Sequence, residues 1–293
     1  MNFSSTTLNS ATDNSEIKIF VEKIRVQGDG VILLTGPSSC GKGEIAKSLC
    51  RFLSLPKDRH LSMGEILRMT INKASSDLIF KNKLSEEYFI SYKVSIFDYN
   101  ENKLETIKKA ENYKQELFDY FDRQNDHISQ LDWLEFCINK GLLIPDDWTE
   151  KIMEAIIKNT YELHKGIFIL DGYPRTIAAA ESLISTLNAL NIPIIKVLHL
   201  SITKNEMKKR ALSRHRYDDT EDSLERRYQF YMDKVQPCAD FLKESLGSNK
   251  VALIDAHQPV FNSDESLNME ESINNVVINA IKSLGLPSFL LDL

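Results

Sequence analysis

With 293 residues and a 42% hydrophobic fraction, the chain is long enough for one large α/β domain carrying an insertion, or for two modest domains. Its 42 Asp and Glu outnumber 36 Lys and Arg, and the formal net charge of −6 argues against a surface built to coat nucleic acid. Four scattered cysteines (Cys40, Cys50, Cys137, Cys238) with no C-x-x-C pair argue against a disulfide framework or a zinc site, and no apolar run approaches the ~18 residues needed to span a bilayer. The expectation is a soluble cytoplasmic protein without nucleic-acid or membrane partners.

Residues 1–15 are polar and lack the basic and apolar regions of a signal peptide, so they read as a disordered tail. The apolar run at 31–35 reads as a buried strand. It breaks into Gly36-Pro-Ser-Ser39-Cys40-Gly41-Lys42-Gly43 and gives way to a helix from Glu44 to Leu53, with Ile45, Leu49 and Leu53 at steps of four. Strand, G-x-x-x-x-G-K and helix in that order make a phosphate-binding loop. Its glycines let backbone N–H groups turn toward phosphate oxygens, and the helix N-terminus adds its positive end. Lys42 can then reach the β- and γ-phosphates of a nucleotide. Gly43 stands where the pattern usually carries a Ser or Thr for Mg²⁺. His60-Leu-Ser62 reads as a short strand.

The stretch from Ala74 to Gln130 contains no Gly or Pro, and Glu101 to Arg123 patterns as one helix on Leu104, Ile107, Tyr113, Leu117 and Tyr120. It reads as a helical insertion. Further strands are expected at 167–171, 194–200 and 251–255, and helices at Thr203–Ser213, Leu224–Leu242 (bent at Pro237) and Ser266–Leu284. Short buried strands alternating with helices imply a parallel sheet of α/β class.

Four more segments resemble signatures of adenylate kinases and related nucleoside monophosphate kinases. His60-Leu-Ser62-Met63-Gly64-Glu-Ile-Leu-Arg68 is similar to "STGDLLR", and Leu170-Asp171-Gly172-Tyr-Pro-Arg175-Thr176 to "DGFPRT". Arg214-His-Arg216-Tyr-Asp-Asp-Thr-Glu followed by Arg227 is similar to "R…RxDDxxE…R", and Ile254-Asp-Ala-His-Gln258-Pro-Val260 to the closing "DGTxPV". Order and rough spacing agree from Gly30 to Leu284, residues 74–130 apart.

The resemblance implies a P-loop kinase fold, a five-stranded parallel sheet in order 2-3-1-4-5. The core would be 16–62 with 160–293, and 63–159 an acceptor-binding subdomain holding the insertion 74–130. It implies ATP with Mg²⁺ as donor and a nucleoside monophosphate or similar phosphate-bearing molecule as acceptor. Lys42, Arg175, Arg214, Arg216 and Arg227 would be catalytic, because phosphoryl transfer spreads negative charge that converging cations must stabilise. Gly36, Ser39, Cys40, Gly41, Lys42, Gly43, Glu44, Arg210, Arg214 and Gln258 would hold ATP, with Arg210 stacked on its base. Ser62, Met63, Gly64, Arg68, Leu142, Ile144, Gly172, Arg175, Ala179, Arg216 and Arg227 would hold the acceptor. Asp171 would bind Mg²⁺ through water.

Several positions depart from the family. Glu44 replaces a Thr that contacts donor phosphate, leaving open whether its carboxylate helps hold Mg²⁺ or repels ATP. Met63 replaces the Thr of "STG", and Ala179 falls where adenylate kinases place a base-reading Gln, which puts AMP in question as acceptor. The lid is reduced to about 214–217, with His215 a remnant rather than a base. Two alternatives stay open: a nucleotide-binding regulatory protein with weak turnover, and a kinase of another phosphate-bearing small molecule. The insertion could serve acceptor specificity, self-association or a protein partner.

Overall fold

The computed structural model describes residues 28–122, 127–213 and 220–285. In chain order it contains β1 (Gly30–Thr35), α1 (Lys42–Phe52), β2 (His60–Ser62), α2 (Met63–Ser76), α3 (Leu78–Glu87), α4 (Leu104–Asn112) and α5 (Lys114–Tyr120). There follow α6 (Gln130–Asn139), α7 (Asp146–Asn159), β3 (Ile167–Asp171), α8 (Ile177–Ala189), β4 (Ile194–Ser201), α9 (Lys204–Ser213) and α10 (Glu221–Phe230). A π-helical turn at Tyr231–Val235 leads into α11 (Gln236–Leu246), then β5 (Val251–Asp255), β6 (Val260–Phe261), β7 (Leu267–Asn268) and α12 (Met269–Ser283). The tail 1–15 and the lid 214–217, with Arg214, His215 and Arg216, lie outside the described residues.

Two compact units divide the chain: one takes the described residues up to Met63 and from Ile157 onward, the other spans Gly64–Ile156. The first is built on a five-stranded sheet in order β2-β3-β1-β4-β5, every adjacent pair parallel. Parallel strands covered by helices on both faces need near-continuous apolar runs. Accordingly, β1 and β3 are buried at every residue. Against them α1 lays Ile45 and Leu49, with Leu53 at its C-cap, and α12 lays Val276, Val277 and Ile281, each worth ~2 kcal/mol in removal from water. The phosphate-binding loop thus leaves the carboxyl end of a central strand, where ligands of such sheets bind.

The second unit has its own core. Leu84, Ile90, Ile96, Ile107, Leu117, Ile128, Trp133, Leu134 and Phe136 are fully buried in it. A capping box of Ser129 and Asp132 starts α6. The Gln130 carboxamide then accepts from the Ser91 amide at 2.8 Å and donates to Asn102 at 2.8 Å, tying the turns of 88–103 to α6.

Three expected helices differ. The helix expected from Glu101 to Arg123, of which Arg123 lies outside the described residues, is instead α4 and α5, broken at Tyr113, whose ring packs 6.4 Å from Trp133 and 6.0 Å from Phe136. Tertiary packing of one aromatic overrides a continuous helical period. The helix Leu224–Leu242 is interrupted by the π turn just before Pro237, which sits in the first turn of α11, where a missing N–H costs least. The last helix starts at Met269 rather than Ser266, because Leu267–Asn268 pairs antiparallel with Val260–Phe261 and the Asn268 side chain caps the helix.

Candidate functional site

The loop after β1 is shaped by backbone geometry that its residues permit. Gly36 has φ 136°, and a Cβ there would lie 2.5 Å from the Leu200 carbonyl oxygen, so a side chain has no room. Ser39 (φ 61°) and Gly41 (φ 92°) are left-handed, and Gly41 caps α1 without a side-chain hydrogen bond. The first amides of α1, from Lys42, Gly43 and Glu44, have no intrahelical acceptor and form an anion cradle. Lys42 Nζ folds back over the loop, donating to the carbonyls of Gly36 at 3.0 Å and Pro37 at 2.6 Å, 3.7 Å from the buried Cys40 Sγ. Ser39 Oγ is buried without a hydrogen-bond partner among the described residues. A buried orphan hydroxyl inside an anion cradle fits a phosphate oxygen. Glu44 is exposed, its carboxylate 3.0 Å from Lys47.

Beside the cradle, β3 ends at Asp171, in register with Leu34 of β1 and Ser62 of β2. Its carboxylate is buried, 3.4 Å from His60 Nε2. The Gly172 amide donates to the Leu34 carbonyl at 2.9 Å, and the Arg175 Nε–H donates to the Gly172 carbonyl at 2.8 Å. The "DGYPR" turn is thereby fastened to the strand that carries the loop. Thr176 caps α8 by accepting from the Ala179 amide, and Ala179 is 3% exposed. Met63, at the start of α2, is also buried.

A second group gathers at the carboxyl end of β5. Arg210 on α9 reaches Glu206 at 2.7 Å and the Ala256 carbonyl at 3.0 Å, beside His257 at 3.3 Å. Gln258 in the same turn donates to the Asp255 carbonyl and accepts from Asn279, at 3.0 and 2.9 Å. Arg210 therefore contacts the turn that carries Gln258. Arg227 is half-buried on α10, which packs on α9 through Met207, Ala211 and Leu224, while Lys204 and Lys208 of α9 pair with Glu225. Gly64, Arg68, Leu142 and Ile144 belong to the second unit: Arg68 exposed on α2, Leu142 and Ile144 half-buried between α6 and α7.

A family model described as adenylate kinase matches residues 132–246, the stretch from α6 through the "DGYPR" turn to α11. An adenylate kinase of Alkaliphilus oremlandii is 24% identical across 87% of this chain and 98% of its own length. One from a Cyanothece strain is 26% identical across 78% and 88%. The chain is thus similar to adenylate kinases over most of its length. The adenylate kinase of Prochlorococcus marinus strain MIT 9301 is 36% identical, but that match spans 36% of this chain and 57% of the relative.

Family motifs did not disclose the polar chain under the phosphate-binding loop. Thr35, the last residue of β1, lies 2.8 Å from His199 Nδ1, and His199 Nε2 lies 3.1 Å from the Tyr231 hydroxyl. Tyr231 donates to Gln236 Oε1 at 2.8 Å, and Gln236 donates to Asp240 at 3.2 Å. The direction of the chain assigns the tautomer: if Tyr231 donates onward, His199 donates from Nε2 and accepts from Thr35 at Nδ1. His199 is 2% exposed. Burial drives its pKa down to about 4, helped by the Lys42 charge and opposed by hydrogen bonding to Gln236 and by Asp240, so it stays neutral. The polar chain thus links the residue before Gly36 to the π turn directly after α10, the helix bearing Arg227. A lone histidine inside an apolar strand run was the available signal.

Proposed function

We propose that this protein transfers the γ-phosphoryl group of ATP to a nucleoside monophosphate, giving ADP and a nucleoside diphosphate. The observation that carries the reading is the bond from the Gly172 amide to the Leu34 carbonyl. It holds the "DGYPR" turn, with Arg175, beside the phosphate cradle of Gly36–Lys42. A donor cradle and an acceptor-gripping arginine on adjacent strand ends suit transfer between two phosphates.

In this reading the α1 amides and Ser39 hold donor phosphates, and Lys42 leaves its own loop carbonyls to follow the charge on the transferring group. Arg175 and Arg68 hold the acceptor phosphate by planar forks. Arg227, with Arg214 and Arg216, offsets the charge spreading over the transferring group. Arg210 and Gln258 receive the donor's base. The acceptor phosphate is already an anionic nucleophile, so no general base is needed.

The residues fit Mg²⁺ brought in by ATP rather than a dedicated metal cage. Among the described residues no group of three His, Cys, Asp or Glu side chains could hold an ion, and Mg²⁺ with nucleotides is bound mainly by phosphates, waters and one or two carboxylates. Asp171, buried next to the cradle, is the carboxylate available to fix a water of its shell. When bound, Mg²⁺ neutralises charge between the β- and γ-phosphates.

The test pairs each nucleoside monophosphate with its parent nucleoside, in the presence of ATP and Mg²⁺. ADP should form with a monophosphate and not with the nucleoside. ADP formation with the nucleoside alone would remove Arg68 and Arg175 from acceptor binding. Glu44 motivates the competing reading of a regulatory nucleotide-binding protein, since a carboxylate on the cradle helix repels donor phosphate. Slow ADP release indifferent to acceptor would support that reading.

A further inference from the structure

The insertion contributes a cation to the very loop that the family resemblance assigns to the acceptor's base. The α6 helix ends in a Schellman motif: Gly141 is left-handed (φ 63°), its amide donates to Ile138, and the Leu142 amide donates to Cys137 at 2.8 Å. The α7 helix begins at once on the other side, where the Pro145 carbonyl accepts from the Trp148 and Thr149 amides at 3.1 and 3.3 Å. Both ends of the loop are therefore fixed by helix termini. Between them Leu142, Leu143 and Ile144 have no regular secondary structure.

Lys109 of α4 donates from Nζ to the Leu143 carbonyl, at the middle of that span. The lysine borders the buried face of α4 made by Thr106, Ile107 and Ala110. Burial lowers the pKa of Lys109, and Cys137, Glu105 and Asp146 oppose that fall, so α6 and the start of α7 also face the ammonium. One α4 capping residue earlier in the chain, Lys103 pairs with Asp147 of α7 at 3.4 Å. Six residues of helix separate the two lysines by about 9 Å. The inserted helix thus grips the α6–α7 connection at two points.

We propose that Lys109 is a positioning residue for the loop 141–144, through which the insertion sets affinity for the acceptor's base. This rests on the monophosphate kinase reading and deepens it. A hydrogen bond from an ammonium to a backbone carbonyl resists displacement more than a neutral one. It fixes the orientation of the Leu143 peptide, and with it the carbonyls and amides of Leu142 and Ile144 on either side. Losing it frees the loop, so part of the acceptor's binding energy goes into ordering that loop again.

The experiment compares the full chain with Lys109→Met and Lys109→Arg in ADP formation from ATP and Mg²⁺, with whichever nucleoside monophosphate the unsubstituted protein uses best. Binding of that monophosphate is read separately by tryptophan fluorescence, since Trp133 on α6 and Trp148 on α7 flank the loop. Lys109→Met should raise both the acceptor KM and its Kd about tenfold, with the ATP KM and kcat within about twofold. Lys109→Arg should stay within about threefold of the unsubstituted protein. If Lys109→Met does not fold, Lys109→Gln carries the same expectation. An unshifted acceptor KM in a folded Lys109→Met or Lys109→Gln variant, or equal damage to ATP and acceptor, overturns this inference alone. Absence of monophosphate-dependent turnover and binding in the unsubstituted protein overturns it together with the proposed function.

Discussion

His199 makes stability depend on pH in a way that one substitution should erase. Its folded pKa of about 4 lies below the ordinary 6.5. In the unfolded chain it takes up a proton as pH falls through 6.5, while in the fold it stays neutral. The unfolded state then binds more protons, and stability present above pH 6.5 is lost progressively down to about pH 4. At 1.36 kcal/mol per pH unit the full loss is about 3 kcal/mol, of which about 2 kcal/mol is gone by pH 5. That is a large part of a usual folding free energy of roughly 5–15 kcal/mol. Urea unfolding followed by circular dichroism, from pH 7.5 to pH 5, would compare the protein with His199→Gln. The variant should be less stable at pH 7.5, because an amide cannot bridge both Thr35 and Tyr231 as the ring does. The gap between the two proteins should close by about 2 kcal/mol at pH 5. Parallel curves across that range would mean His199 is not held neutral between Thr35 and Tyr231.

Other substitutions separate the parts of the site. Gly36→Ala should lower stability by about 3 kcal/mol or prevent folding, since its Cβ meets the Leu200 carbonyl, whereas Gly43→Ala, with nothing within 4 Å, should melt like the parent. Arg175→Ala should reduce phosphoryl transfer by about a hundredfold or more while ATP affinity, measured by calorimetry, stays within about twofold; a fully active variant would remove the arginine from its role. Glu44→Thr should lower the ATP KM about threefold by taking a carboxylate from the cradle helix, and an unchanged or raised KM would show that Glu44 assists the donor instead.

The sheet was legible because its central strands β1 and β3 are buried at every residue and so stand out as unbroken apolar runs; even His60–Ser62 was visible, marked by its place in a motif. The cradle was legible for the same reason plus two glycines and a lysine at fixed spacing. What packing decides was not. Nothing local to Tyr113 says that its ring will turn onto Trp133 and Phe136 and split a helix. The two-residue strands β6 and β7 are too short to pattern. Long-range polar contacts were equally hidden, since Lys109 and Leu143 lie 34 residues apart and Thr35 and His199 lie 164 apart. Each looks locally like a solvated or core residue.

The central claim is tested most directly by ADP production from ATP and Mg²⁺ with AMP, CMP, UMP, GMP and dTMP supplied separately, and with no acceptor. Stimulation by at least one monophosphate far above the acceptor-free rate is the predicted result, and the preferred monophosphate would name the acceptor. The same slow ADP release in every tube, with or without a monophosphate, would contradict it.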